Sequence, residues 1–162
     1  MNLSRVIIVA AALAAHSSAQ AVAPDFQQNV LSMIKFEGAC MVRSSIPRDF
    51  AAGNLLATRY EATGAARLGT TVTTMHSTCD LTKASLDQLR TSLNEESRRV
   101  LDTTVDGYVC SEIVMLTRFQ RETVMPGGDA VLAYIKNKFY PNSKSPETLE
   151  ECESEMHRLI GT

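Results

Sequence analysis

Residues 106–125 read DGYVCSEIVMLTRFQRETVM, and the reading of this stretch decides the fold. At 3.6 residues per turn it is a helix. Tyr108, Val109, Cys110, Ile113, Val114, Met115 and Leu116 spread apolar side chains around most of its first half. A helix apolar on most of its circumference is normally wrapped by neighbours rather than laid on a surface. Its second half turns polar through Arg118, Gln120, Arg121 and Glu122, ahead of Pro126-Gly127-Gly128. The stretch is therefore expected to be the central strut of an all-α fold: a compact bundle of five to six helices stapled by two disulfides.

Working back toward the N-terminus, Asp106-Gly107 is read as the separation from the preceding helix. Asp80 or Thr82 is expected to cap that helix, since either side chain accepts from free N–H groups. Leu86, Leu89, Leu93 and Val100 form its narrow apolar stripe, widened by Leu101. The charges on its other faces, Arg98 and Arg99 among them, read as a solvated surface. Region 48–78 is either one long helix or two. Phe50, Leu55, Leu56 and Tyr60 start a helical stripe, which Leu68, Val72, Met75 and Cys79 continue, but Gly64 and Gly69 weaken the middle. Before it, Pro24-Asp25 opens a helix with Phe26, Val30, Met33 and Cys40 on one face and Ile34 and Met41 beside it. Ser44-Ser45-Ile46-Pro47 ends that helix.

On the C-terminal side, Asp129 is expected to cap a short helix reaching about Phe139, with Val131, Leu132, Ile135 and Phe139 inward. Ser145-Pro146-Glu147 has the composition of a helix start. Leu149, Cys152, Met156, Leu159 and Ile160 give the last helix one apolar face, and Gly161 closes it.

Residues 1–21 have the composition of a secretory signal peptide, with cleavage expected after Ala19 or Ala21 and a single helical domain following over 22–162. The apolar run Val6 to Ala15 is ten residues, half the length of about 20 that a membrane span requires. Later segments carry no longer apolar run, so a secreted, extracellular product without stable membrane insertion is expected. In an oxidising compartment Cys40, Cys79, Cys110 and Cys152 then read as two disulfides. The intervening segments of 38, 30 and 41 residues supply none of the close cysteine pairs that a structural zinc site uses, so no metal is expected. Four cysteines allow three connectivities. Sequential elements tend to pack side by side, which favours Cys40–Cys79 and Cys110–Cys152. Each such bridge closes a loop of about forty residues, worth roughly 4 kcal/mol in loop-closure entropy. Insect odorant-binding proteins and the plant invertase and pectin methylesterase inhibitors are secreted helical proteins with paired cysteines. Their short intervals between certain cysteines are not found here, and the spacing places the chain in neither family.

Function is less legible. With 16 Lys and Arg against 18 Asp and Glu, the chain lacks the basic excess expected of a nucleic-acid binder. Trp is absent and aromatics make up 6 %, which disfavours an aromatic recognition surface. No Gly-x-Ser-x-Gly, His-Glu-x-x-His, phosphate-binding Gly loop or EF-hand pattern occurs. No catalytic residue or cofactor is assigned. His76 reads as a surface or partly buried residue, and His157 as a neighbour of Glu153, Glu155 and Arg158 on a Glu-rich helix. The acids Glu147, Glu150, Glu151, Glu153 and Glu155 match no calcium loop and read as helix-start charge plus a wet face. The expected function is a non-enzymatic interaction protein (inhibitor, effector or extracellular scaffold) with a protein partner. The alternative is a carrier of a small apolar ligand such as a lipid, held between helices and lined by Tyr108, Met115, Phe119, Met33 and Met75. Methionine adapts to varied ligands, although it fills ordinary cores as well.

Overall fold

The computed structural model describes residues 24–160, and all of its regular structure is helical. The expected leader at 1–21 with its cleavage site, and the helix stop at Gly161, lie outside the described residues. Six helices follow one another: α1 (Pro24–Ser44), α2 (Ala51–Arg67), α3 (Val72–Ser92), α4 (Glu95–Thr123), α5 (Gly128–Phe139) and α6 (Leu149–Ile160). They form a compact bundle, tied by Cys40–Cys79 between α1 and α3 and Cys110–Cys152 between α4 and α6.

α4 is the strut, and it is longer than the sequence suggests. Its 29 residues span about 43 Å and run straight through Asp106-Gly107. The break falls earlier, at Leu93-Asn94. There Asn94 leaves the helical region and its side chain accepts from the Ser97 amide at 2.8 Å, with Glu95 and Glu96 in the positive first turn. Asp80 and Thr82, expected as caps, lie inside α3. Gly107 serves close approach rather than chain reversal. A Cβ there would meet the Met156 sulfur of α6 at 2.7 Å. Gly38 does the same for α1, where a Cβ would lie 2.7 Å from Tyr108 Cβ and 2.8 Å from the α4 backbone. Small residues at these two positions bring three helix axes close together.

Region 48–78 resolves into two helices. The chain turns at Leu68–Thr71, where Gly69 takes φ +63° and Thr71 caps α3 through the Thr74 amide at 3.1 Å. α5 is preceded by Gly127 at φ +74°, so Asp129 sits in its first turn rather than at its cap. The start of α6 is likewise displaced from Ser145. Thr148 Oγ1 accepts from the Glu151 amide at 3.1 Å, while the Glu151 carboxylate accepts from the Glu147 amide at 2.6 Å.

Contacts set the helix directions. Gly38 meets Tyr108, and Arg43 meets Glu112, so α1 and α4 run parallel. Met156 meets Gly107, and Cys152 meets Cys110, so α6 runs antiparallel to α4. α3 is antiparallel to α1, with Cys79 on Cys40 and Met75 on Arg43. α4 packs most extensively on α1 and α6, and also touches α5 and α2. The core joins Ile34 and Val42 of α1, Leu56 and Ala57 of α2, Leu86 of α3, and Leu101, Val105, Ile113 and Leu116 of α4. Val131 and Ile135 of α5 complete it. Several residues placed inward by periodicity are exposed: Leu55, Leu68, Met115, Leu149 and Leu159. In α6 only Cys152 is buried, with Met156 and Ile160 half-buried. None of the described helices is long and apolar enough to cross a membrane.

Candidate functional site

The chemistry-bearing side chains collect in three polar clusters that bridge helices. The first sits where α1, α2, α3 and α4 converge. Arg43 donates to Glu112 through Nε at 3.0 Å, and both side chains are largely buried, at 12 % and 4 % exposure. The guanidinium lies over the Tyr60 ring, 5.7 Å from its centroid, and Nη1 donates to the Met75 sulfur at 2.7 Å. Tyr60 in turn meets Phe119 edge to face, with centroids 5.2 Å apart. Burial and the nearby Glu112 carboxylate hold the Tyr60 hydroxyl well above the ordinary phenol range. Gly64 leaves room for this head group, since a Cβ there would come within 3.3 Å of Arg43 Nη2.

The second cluster centres on the buried Glu61 carboxylate of α2. It accepts from Arg48 and lies 3.2 Å from His76 Nε2 of α3. His76 is half-exposed, so this carboxylate–imidazole pair faces solvent on its histidine side. In the third, Arg90 of α3 donates to Asp102 of α4 at 2.8 Å and to Asp87 at 2.9 Å, and lies 4.0 Å from Glu37 of α1. Lys83 pairs with Asp87 as well. Glu37 is buried, and desolvation raises its carboxyl above the ordinary value against the pull of Arg90 and Lys83.

Of the five side chains expected to line an apolar ligand, two belong to the first cluster: Met75 lies against Arg43, and Phe119 packs on the Tyr60 ring that Arg43 covers. Tyr108 lies eleven residues from Phe119, about 16 Å along the helix, beside Gly38 and under the Lys35 ammonium at 5.6 Å. Burial and Glu153 push its hydroxyl up to about 12. Met33 is half-buried against the core, and Met115 is 44 % exposed. An open cleft of about 330 Å³ lies elsewhere, at the end of α5. It is lined by Lys136, Asn137, Tyr140, Ser143, Lys144, Ser145 and Glu147, with Lys144 paired to Glu147 at 3.1 Å.

The polar clusters escaped the reading of the sequence, although a signal for two of them was present. Glu112 interrupts the apolar stripe of Val109, Ile113 and Leu116, and Glu37 interrupts that of Val30 and Ile34. A charge inside a core-facing stripe needs a partner on a neighbouring helix. Which partner it takes depends on helix directions that the sequence does not carry. His157, read only as a neighbour of acids, lies 3.7 Å from Glu153 on its own helix.

No protein-family model, curated protein or solved structure matches this chain.

Proposed function

We propose that the chain is a secreted, non-enzymatic interaction protein: a stapled helical scaffold that presents its outer helix faces to a protein partner. The observation that carries this reading is how the interior is used. The buried carboxylates Glu112, Glu61 and Glu37 are each engaged by a cationic side chain from another part of the chain: Arg43, Arg48 and Arg90. Apart from Met75 and Phe119, the candidate ligand-lining residues lie apart from one another, while large apolar side chains such as Leu81, Tyr134, Leu149 and Val124 stand in solvent. Helices cross-linked by ion pairs and two disulfides hold such outward residues in fixed positions, which lowers the ordering cost of binding. Secretion rests on the residue pattern at 1–21 together with the paired cysteines. The carrier reading is weaker, because an apolar ligand needs its lining residues gathered round one space.

Native mass spectrometry of the protein recovered from the medium of its own cells tests the reading. A stoichiometric protein partner is the expected result, and a co-purified lipid in its place overturns it in favour of the carrier. N-terminal sequencing of the same material should begin at Gln20 or Val22. A chain retained in cells with Met1 intact removes the secretory premise.

A further inference from the structure

We propose that the Cys40–Cys79 bridge is a redox latch on α3, opened by an external dithiol while Cys110–Cys152 stays closed. α3 is the shallowest of the long helices. Of its 21 residues only Met75, Thr82 and Leu86 are buried, against eleven in α4. A helix that buries so little apolar surface depends on its tethers. Those in its N-terminal half lie close together: Met75 on Arg43, His76 on Glu61 and Cys79 on Cys40. The bridge is the covalent one, and it closes a long loop, the situation in which a cross-link constrains the open chain most.

The two bridges differ in access. Cys79 is half-buried on an outer helix, whereas Cys110 and Cys152 are 5 % and 2 % exposed between α4 and α6. Thiol–disulfide exchange requires a thiolate to reach one sulfur, so attack falls on Cys79 Sγ. The dithiol's thiolate bonds to that sulfur, the S–S bond breaks, and Cys40 leaves as a thiolate that takes a proton from water. The second thiol of the reagent, as its thiolate, then displaces Cys79, which also ends as a thiol. The reagent departs as a cyclic disulfide, two electrons having passed to the protein. α3 can then swing at Gly69, whose φ of +63° sits in open space. Opening uncovers Arg43 and the apolar underside that Met75 and Leu86 formerly closed, while α4 keeps its packing on α1 and its bridge to α6.

The intact, oxidised protein is titrated with dithiothreitol under native conditions. Thiols are trapped with iodoacetamide for peptide mapping, and amide exchange is followed by mass spectrometry. Cys40 and Cys79 should be trapped at reductant concentrations at least about tenfold below those that label Cys110 and Cys152. At that stage residues 72–92 should lose roughly a hundredfold in exchange protection while 95–123 keep theirs. Joint opening of both bridges, earlier opening of Cys110–Cys152, or unchanged protection of α3 after its bridge is cut would each overturn the latch.

Discussion

Gly38→Ala and Gly107→Ala are the same chemical change in the middle of two helices, and the structure gives them unequal costs. Both gain about 1 kcal/mol from helix propensity, because alanine loses less backbone freedom than glycine. They differ in what the added methyl meets. At Gly38 it would stand 2.7 Å from Tyr108 Cβ, 2.8 Å from the Tyr108 carbonyl carbon and 2.8 Å from the Val109 nitrogen. Those are fixed atoms of α4, so α1 and α4 must part along their whole parallel contact. Overpacking of this kind costs about 1–3 kcal/mol, and a collision with backbone belongs in the upper half of that range. The net loss is then about 1–2 kcal/mol, a fall in Tm of roughly 2–8 °C for a chain of this size. At Gly107 the obstacle is Met156, with Sδ at 2.7 Å, Cγ at 3.1 Å and Cβ at 3.3 Å. The thioether can rotate away, but the Cβ yields only if α6 shifts by a few tenths of an ångström, so the packing cost roughly offsets the propensity gain and Tm changes by less than about 2 °C. Calorimetry on the oxidised proteins measures both. A G38A protein as stable as the parent, or a G107A protein that loses as much as G38A, would refute the close-approach reading of both glycines.

Three further outcomes follow from the same geometry. Arg43→Met leaves the buried Glu112 carboxylate without its guanidinium and should cost about 3–5 kcal/mol in urea unfolding, with most of it recovered in R43M/E112M. Val124 closes α4 in the left-handed region at φ 46° with its side chain in solvent, so V124G should stabilise by about 0.5–1 kcal/mol, read as a higher urea midpoint at unchanged slope. Glu37 has its folded pKa raised by burial, so its contribution to stability is full below the unfolded value and is lost as pH rises through the folded one. E37Q should therefore melt above the parent at pH 7, and the gap should close near about pH 3.5, where both side chains are neutral. A gap that widens on acidification would refute the desolvation argument.

Helix class was legible because the apolar period is helical through most of residues 24–160, and burial rewards that period wherever the helices pack. Val30, Ile34, Leu86, Val109 and Ile135 were placed inward on that ground, and all are buried. Boundaries were harder, for an identifiable reason. Asp106-Gly107 carries the composition of a turn, yet a glycine is also what a helix needs where a neighbour presses on it, and only the position of α6 decides between the two. The actual break, Leu93-Asn94-Glu95-Glu96, carried a capping asparagine and two acids, but the apolar stripe from Leu86 to Leu101 ran across it and outweighed them. Leu149 and Leu159 mislead in the opposite sense. Their spacing fits an apolar face, but α6 lies along α4 with Cys152, Met156 and Ile160 turned inward, and a short surface helix buries only a narrow stripe.

The expected lining residues on α4 face different surroundings for a reason that lies in the strut itself. A helix apolar round most of its circumference serves a different neighbour at each height and angle. On α4, Asp102 reaches Arg90 of α3, Tyr108 and Glu112 face α1, and Cys110 is bonded to α6. Farther along, Phe119 meets Tyr60 of α2 while Gln120 packs on Gly128 at the start of α5, where a Cβ would lie 2.1 Å from its Oε1. Five partners thus divide one helix, and the apolar side chains that looked like a shared lining are spent on separate interfaces. Met115 is the one of the proposed lining residues on α4 that points to solvent. A partner can therefore reach α4 over Met115 and the exposed Arg118, Arg121 and Glu122, whereas its packed faces are reached by displacing a neighbouring helix, and of the long helices α3 buries the fewest residues.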